Sequence, residues 1–185
     1  MSERAMRVIA DYIGQDNSEA TVVARERVAR QFVNHLAGNQ IAVVDQRSDA
    51  LAPSPPDSLT VRIDAMGNMF ARRPGRDPKR LPVLMGSHLD SQPSGGKFDG
   101  ALGVLAGLEV IRSLNDLGIT TEAPIELVNW TDEEGSRFGH SLMGSGVWAG
   151  IYTQDRIEAL TDLDGITVKT ALHDIGYAGP EPAKP

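Results

Sequence analysis

Apolar positions along this chain alternate between two spacings. From Ala20 to Leu36, the residues Val22, Val23, Val28, Phe32, Val33 and Leu36 recur at helical spacing and predict a helix; a shorter one is predicted over Glu3 to Ile13. Gln40 to Val44 reads as a short strand. Leu59, Val61 and Ile63 alternate with polar neighbours, Ala65-Met66-Gly67-Asn68 reads as a hairpin turn, and Met69 to Arg72 as the returning strand. Two short runs rich in apolar residues, Leu81 to Met85 and Ile125 to Trp130, predict central strands. Between them Ala101 to Leu117 is strongly apolar at helical spacing and closes at Gly118. Short helices are predicted over Leu142 to Ala149 and Asp155 to Leu160. Prolines mark loops at Ala50 to Ser58 and Arg73 to Arg80, and those of Gly179 to Pro185 predict a disordered tail.

Strands alternating with helices predict an α/β fold: a mixed, centrally parallel sheet flanked by helices, in one domain over 1–178. Such sheets bind ligands beyond the carboxyl ends of their central strands. His88 and the pair Glu133-Glu134 fall at two such ends.

Composition narrows the chemistry. The 185 residues carry a net charge of -7 with scattered Lys and Arg, which argues against a nucleic-acid partner. No apolar run approaches the roughly 20 residues of a membrane span, and the first residues lack the apolar core of a secretory signal. The absence of cysteine fits a cytoplasmic protein and leaves His, Asp and Glu as the only strong metal ligands.

Those residue types gather around two strand ends. His88 is followed two residues later by Asp90, on the same side of an extended chain, where a carboxylate could accept the second imidazole N–H and raise ligand basicity. Asp99 precedes the helix from Ala101, where it reads either as an N-cap or as an ion-bridging carboxylate. Asp132, Glu133 and Glu134 read either as a solvated turn or as a ligand beside a general base, the latter only if the chain bends there, as Gly135 permits. His35, His140 and His173 read as structural or surface residues. Gly95-Gly96-Lys97 lacks the spacing of a phosphate loop.

The segments S-H-L-D-S-Q-P-S-G-G-K-F-D-G-A-L-G-V-L-A-G-L-E-V from Ser87 and T-D-E-E-G-S-R-F-G-H-S-L-M-G-S from Thr131 together resemble the N-carbamoyl-L-amino-acid hydrolases, β-ureidopropionases and allantoate amidohydrolases. These belong to the dinuclear-metal aminoacylase and zinc-exopeptidase superfamily. The upstream D-A-M-G-N-M-F and the later D-L-D-G-I-T-V-K-T-A-L-H-D-I-G-Y extend the resemblance over Ile63 to Tyr177. The residues after Asp99 and Glu134 favour the carbamoylase branch over the aminoacylases and dipeptidases.

The resemblance implies that His88 ligates one metal and Glu134 the other, that Asp99 bridges them, that Glu133 is the general base and that Asp90 supports His88. It implies two divalent ions, zinc or manganese, with cobalt and nickel also suited, and hydrolysis of a C–N bond in a small N-carbamoyl or ureido acid. It also implies a homodimer, and a non-proline cis peptide after Asp99. The family's remaining histidine ligands, one in an H-I-E-Q-G-P segment, its lid and dimerisation domain and its G-V-T-R segment have no counterpart in these 185 residues. The expectation is therefore the N-terminal part of a catalytic domain, with weak metal binding and little activity.

Overall fold

The computed structural model describes residues 43–45, 59–96 and 98–185. The helices predicted over 3–13 and 20–36, His35, and the loop at 50–58 lie outside the described residues. Among the described residues five strands form one sheet: β1 (Val43–Asp45), β2 (Leu59–Ile63), β3 (Met69–Arg73), β4 (Val83–His88) and β5 (Ile125–Trp130). The described residues also form four helices, α1 (Ala101–Asp116), α2 (Met143–Trp148), α3 (Gln154–Glu158) and α4 (Val168–Asp174), the first three where the pattern predicts them.

The strand order is β1-β2-β3-β5-β4. The sheet is mixed and flanked by helices, as expected, but its expected parallel centre needs correcting. The parallel pairs are the outer ones, β1 with β2 and β4 with β5. The hairpin at Ala65–Asn68 sends β3 back antiparallel to β2, and β3 then pairs antiparallel with β5. The helical crossover α1 is what allows β4 and β5 to run parallel. Among the described residues β4 is an edge, not the central strand its apolar sequence suggested, and Val83 is 60% exposed. Its apolar content reflects the helix packed on one face, where α1 lies across β4 and β5.

The alternation of β2 directs Leu59 and Val61 into a core with Met69, Ala71, Ile125 and Leu127, closed by Val104, Leu108 and Ile111 of α1. Burying each of these large side chains is worth about 1.5–3 kcal/mol. The helix ends as the sequence predicts. Gly118 takes φ 63, its N–H reaches Asn115 O, and the Ile119 N–H reaches Leu114 O, which is the paired bonding of a left-handed glycine cap. A second cluster joins Met66, Met143, Ile157, Val168 and Leu172 beside the hairpin. Phe70, Trp130 and Trp148 form an aromatic trio, with the two indoles 5.4 Å apart. On the same side of the sheet as Phe70, Glu126 is held between Arg62 at 3.3 Å and Arg72 at 2.8 Å.

The segment 179–185 is not the disordered tail its prolines suggested. Gly179 N donates to Asp64 O at 3.0 Å, Ala65 N donates to Glu181 O at 2.7 Å, and Ala183 is buried. Proline rigidity here favours a fixed extended segment that bonds the end of β2.

Candidate metal centre

The register of the parallel pair sets the site. His88 is level with Trp130, so the last residue of β4 lies beside the last residue of β5. The acids of 132–134 therefore leave the sheet on the rim that already holds His88. The chain bends at Asp132, which takes φ 50, and again at Gly135, with φ 70. A non-glycine residue at positive φ is uncommon and clusters at functional sites. The bend is fastened by Leu142 N to Glu133 O at 2.8 Å and by Gly144 N to Thr131 O at 2.9 Å. With that bend, neighbouring glutamates no longer point to opposite sides, and His88, Glu133 and Glu134 offer ligand atoms that all lie within 4.8 Å of one another.

His88 is 5% exposed. Its Nε2 lies 3.2 Å from Glu133 Oε2 and 3.7 Å from Asp99 Oδ1. Its Nδ1 lies 3.0 Å from the main-chain carbonyl of Asp90, while the Asp90 carboxylate is further away at 3.6 Å. The second imidazole nitrogen is thus held by the backbone of Asp90 rather than by its side chain. The Asp90 carboxylate instead accepts the backbone N–H of Glu133 at 3.2 Å and of Glu134 at 3.1 Å. One residue therefore orients the imidazole and both acids.

Asp99 is not a helix cap. The N-cap of α1 is Gly100, with no side-chain cap bond, and the Asp99 carboxylate faces His88. The expected cis peptide is also corrected: the described backbone contains none, and Gly100 makes the turn with φ 70. A Cβ on Gly100 would come within 2.5 Å of the His88 ring, so the close approach of this turn requires glycine. His140 packs edge-on against Tyr152 and His173 is exposed, both apart from the cluster.

Four carboxylates around one imidazole make the site strongly acidic. The Glu134 carboxyl is pushed up from its ordinary range by burial first and then by Asp99, with Glu133 and Asp90 adding and His88 opposing. Its Oε1 is buried without a hydrogen-bond partner. An orphaned carboxylate oxygen beside an imidazole nitrogen and further carboxylates is a donor set that fits a divalent cation.

Because the Glu134 pKa is raised on folding, its ionisation costs stability. The penalty is absent below the ordinary glutamate range, grows as pH rises towards the raised value and is complete above it. Glu134→Gln should therefore raise the melting temperature of the metal-free chain at neutral pH, with the gain vanishing in acid. Differential scanning calorimetry across pH checks this, and a pH-independent gain would contradict it.

Sequence reasoning missed Gln92, whose Nε2 donates to Glu134 Oε2 at 2.9 Å. Forty-two positions separate the pair, and only the adjacency of the two strand ends reveals the contact.

Comparison with known proteins adds a family. The model of peptidase family M28 matches residues 68–184. An N-carbamoyl-L-amino-acid amidohydrolase of Rhizobium meliloti is 53% identical over 123 residues, covering 66% of this chain and 30% of that protein. An allantoate amidohydrolase of Bacillus subtilis is 34% identical over 119 residues, covering 64% and 29%. The crystal structure of a hydantoinase/carbamoylase family amidase from Burkholderia multivorans superposes with a TM-score of 0.82 at 39% identity, covering 98% of this chain and 42% of that one. The chain spans about three tenths of the length of the curated relatives it matches.

Proposed function

From the premise that this chain belongs to peptidase family M28, we propose that it carries the first half of a metal centre that hydrolyses the C–N bond of N-carbamoyl amino acids or related ureido acids of the allantoate type. The observation that carries the reading is the convergence of His88, Glu133 and Glu134 on one rim of the sheet, with the Glu134 oxygen left unpartnered. His88 and Glu134 would each hold a divalent ion and Asp99 would lie between them. Zinc, manganese, cobalt and nickel all suit these ligands. Such ions, when bound, polarise the substrate carbonyl and acidify water.

The remaining work falls to the protein's own groups. Glu133 takes a proton from water as the water oxygen adds to the carbonyl carbon. It then delivers that proton to the nitrogen as the C–N bond breaks. Asp90 keeps Glu133 and Glu134 in place through their backbone N–H groups. The names of the relatives support a carbamoyl or ureido acid as the substrate.

One observation favours a second reading for the chain taken alone. Among the described residues, His88 is the only imidazole in the cluster. Catalytic metal sites usually have three protein ligands per ion, so weak binding and slow turnover are expected. The test pairs metal analysis by mass spectrometry with assays in excess Mn²⁺ or Zn²⁺ on N-carbamoyl-L-amino acids, allantoate and dipeptides. Metal retention, with any hydrolysis highest on the carbamoyl or ureido acids, supports the proposal. Failure to bind metal, or faster hydrolysis of dipeptides, overturns it.

A further inference from the structure

The hairpin that joins β2 to β3 contains two polar residues that the hydrolytic chemistry does not use. Asp64 and Asn68 are both 0% exposed. Polar side chains are rarely buried to that extent unless every group has a partner. Asp64 Oδ1 accepts the backbone N–H groups of Met66 at 2.9 Å and Asn68 at 3.0 Å, and its Oδ2 accepts the Asn68 side-chain amide at 2.8 Å. The same amide nitrogen also donates to Gly144 O at 3.1 Å. The Asn68 Oδ1 accepts the backbone N–H of Thr131 at 3.0 Å. These contacts fix the orientation of the amide. A flip would set its NH₂ against the Thr131 N–H and its oxygen against the Asp64 carboxylate and the Gly144 carbonyl.

The two distant partners of Asn68 are the two stems of a single loop. Thr131 enters the segment that carries Glu133 and Glu134, and Gly144 leaves it. The stems also bond each other, through Gly144 N to Thr131 O at 2.9 Å. The loop contains four residues at positive φ: Asp132, Gly135, Gly139 and Leu142. Two of these are not glycine, so the loop holds its shape only if its ends are constrained. Gly144 has no room for a side chain, because a Cβ there would collide with Asn68 Oδ1.

We infer that Asn68, oriented by Asp64, is a positioning residue that closes the base of the 131–144 loop and thereby sets the place of Glu133 and Glu134. Asn68 touches neither glutamate. It acts through Thr131, one peptide before the bend at Asp132, and the Asp90 carboxylate then receives the Glu133 and Glu134 N–H groups from the other side. The inference rests on reading Glu133 and Glu134 as functional groups, but it can be judged without metal or substrate.

The experiment is residue-resolved amide hydrogen exchange on the full chain without added metal. The variants are Asn68→Ser, Asn68→Asp, the exchanged pair Asp64→Asn with Asn68→Asp, and Ile111→Val as a control in the other core cluster. Exchange at Glu133 and Glu134 is read against Leu127 and Val128 of β5, the strand that leads into the loop, in the same sample, which separates local opening from global unfolding. In Asn68→Ser and Asn68→Asp the two glutamate amides should exchange at least about tenfold faster relative to the strand. The control should shift no ratio. The exchanged pair restores an amide facing a carboxylate and should recover part of the protection.

If the single variants fail to fold, the exchanged pair decides: ratios closer to wild type than to the freely exchanging limit support the inference, and ratios at that limit overturn it. Ratios unchanged in the single variants also overturn it. A Co²⁺ titration of the same proteins should show affinity about 10–100-fold weaker in the Asn68 variants. A wild-type chain that binds no Co²⁺ would remove the proposed function and leave the exchange result standing.

Discussion

Replacing His88 with alanine is expected to cut the affinity of the chain for a divalent cation by more than about 100-fold. Losing a group that merely supports a ligand costs about 10–100-fold, and His88 is the only nitrogen donor in the described cluster. Carboxylates alone suit magnesium or calcium better than zinc, cobalt or nickel, so the variant should also lose its preference for the later transition metals. The fold should survive. His88 is the last residue of β4, and its pairing with Trp130 is made through the backbone. Calorimetric titration with Zn²⁺ or Co²⁺, beside circular dichroism, provides the measurement. A variant that binds within tenfold of wild type would mean that the acids hold the ion without the imidazole, and the assignment of His88 would fail.

Glu133→Gln should separate two roles that the geometry brings close together. Glu133 Oε2 lies 3.2 Å from His88 Nε2, nearer than Asp99, so a ligand role competes with the role of base. As a base, Glu133 supplies proton transfer worth about 10²–10⁴-fold in rate. The amide cannot take up the proton, so turnover on the best substrate should fall by that amount while Co²⁺ affinity stays within about threefold. If affinity falls tenfold or more, Glu133 is a ligand and the base must be sought elsewhere. The titration decides this even for a chain whose turnover is slow. The backbone N–H of Glu133 still reaches Asp90 in the variant, so the loop should keep its shape.

The sequence made the element types and the strand ends legible because periodicity and glycine caps are local signals. The helix from Ala101, its closure at Gly118 and the hairpin at Ala65–Asn68 all follow from neighbours in the chain. Strand order is not local. An apolar run such as Leu81 to Met85 looks the same whether it lies at the centre of a sheet or carries a helix at its edge. Prolines near a C-terminus suggest disorder, yet a stiff extended segment can also bond a strand end, and only the partner at Asp64 and Ala65 shows which applies. In the site, the residue types were visible and their wiring was not. The division of Asp90 into a carbonyl for the imidazole and a carboxylate for two amides depends on how β4 and β5 lie side by side. Nothing in the spacing of Gln92 and Asn68 points to their partners dozens of positions away, and Asp64, whose side chain bonds only its own hairpin, gains its role through Asn68.

The aromatic trio turns the chain into its own optical gauge. The sequence has two tryptophans, and both belong to that trio. Trp130 immediately precedes the stem residue Thr131, and Trp148 ends α2, the helix that contains the opposite stem residue Gly144. No other indole contributes background, so tryptophan emission, excited at wavelengths the three tyrosines do not absorb, comes from this one junction, next to the rim where His88 and the glutamates meet. A rapid-mixing trace with Co²⁺, or a urea titration followed at the emission maximum, would therefore report on this junction without any attached dye.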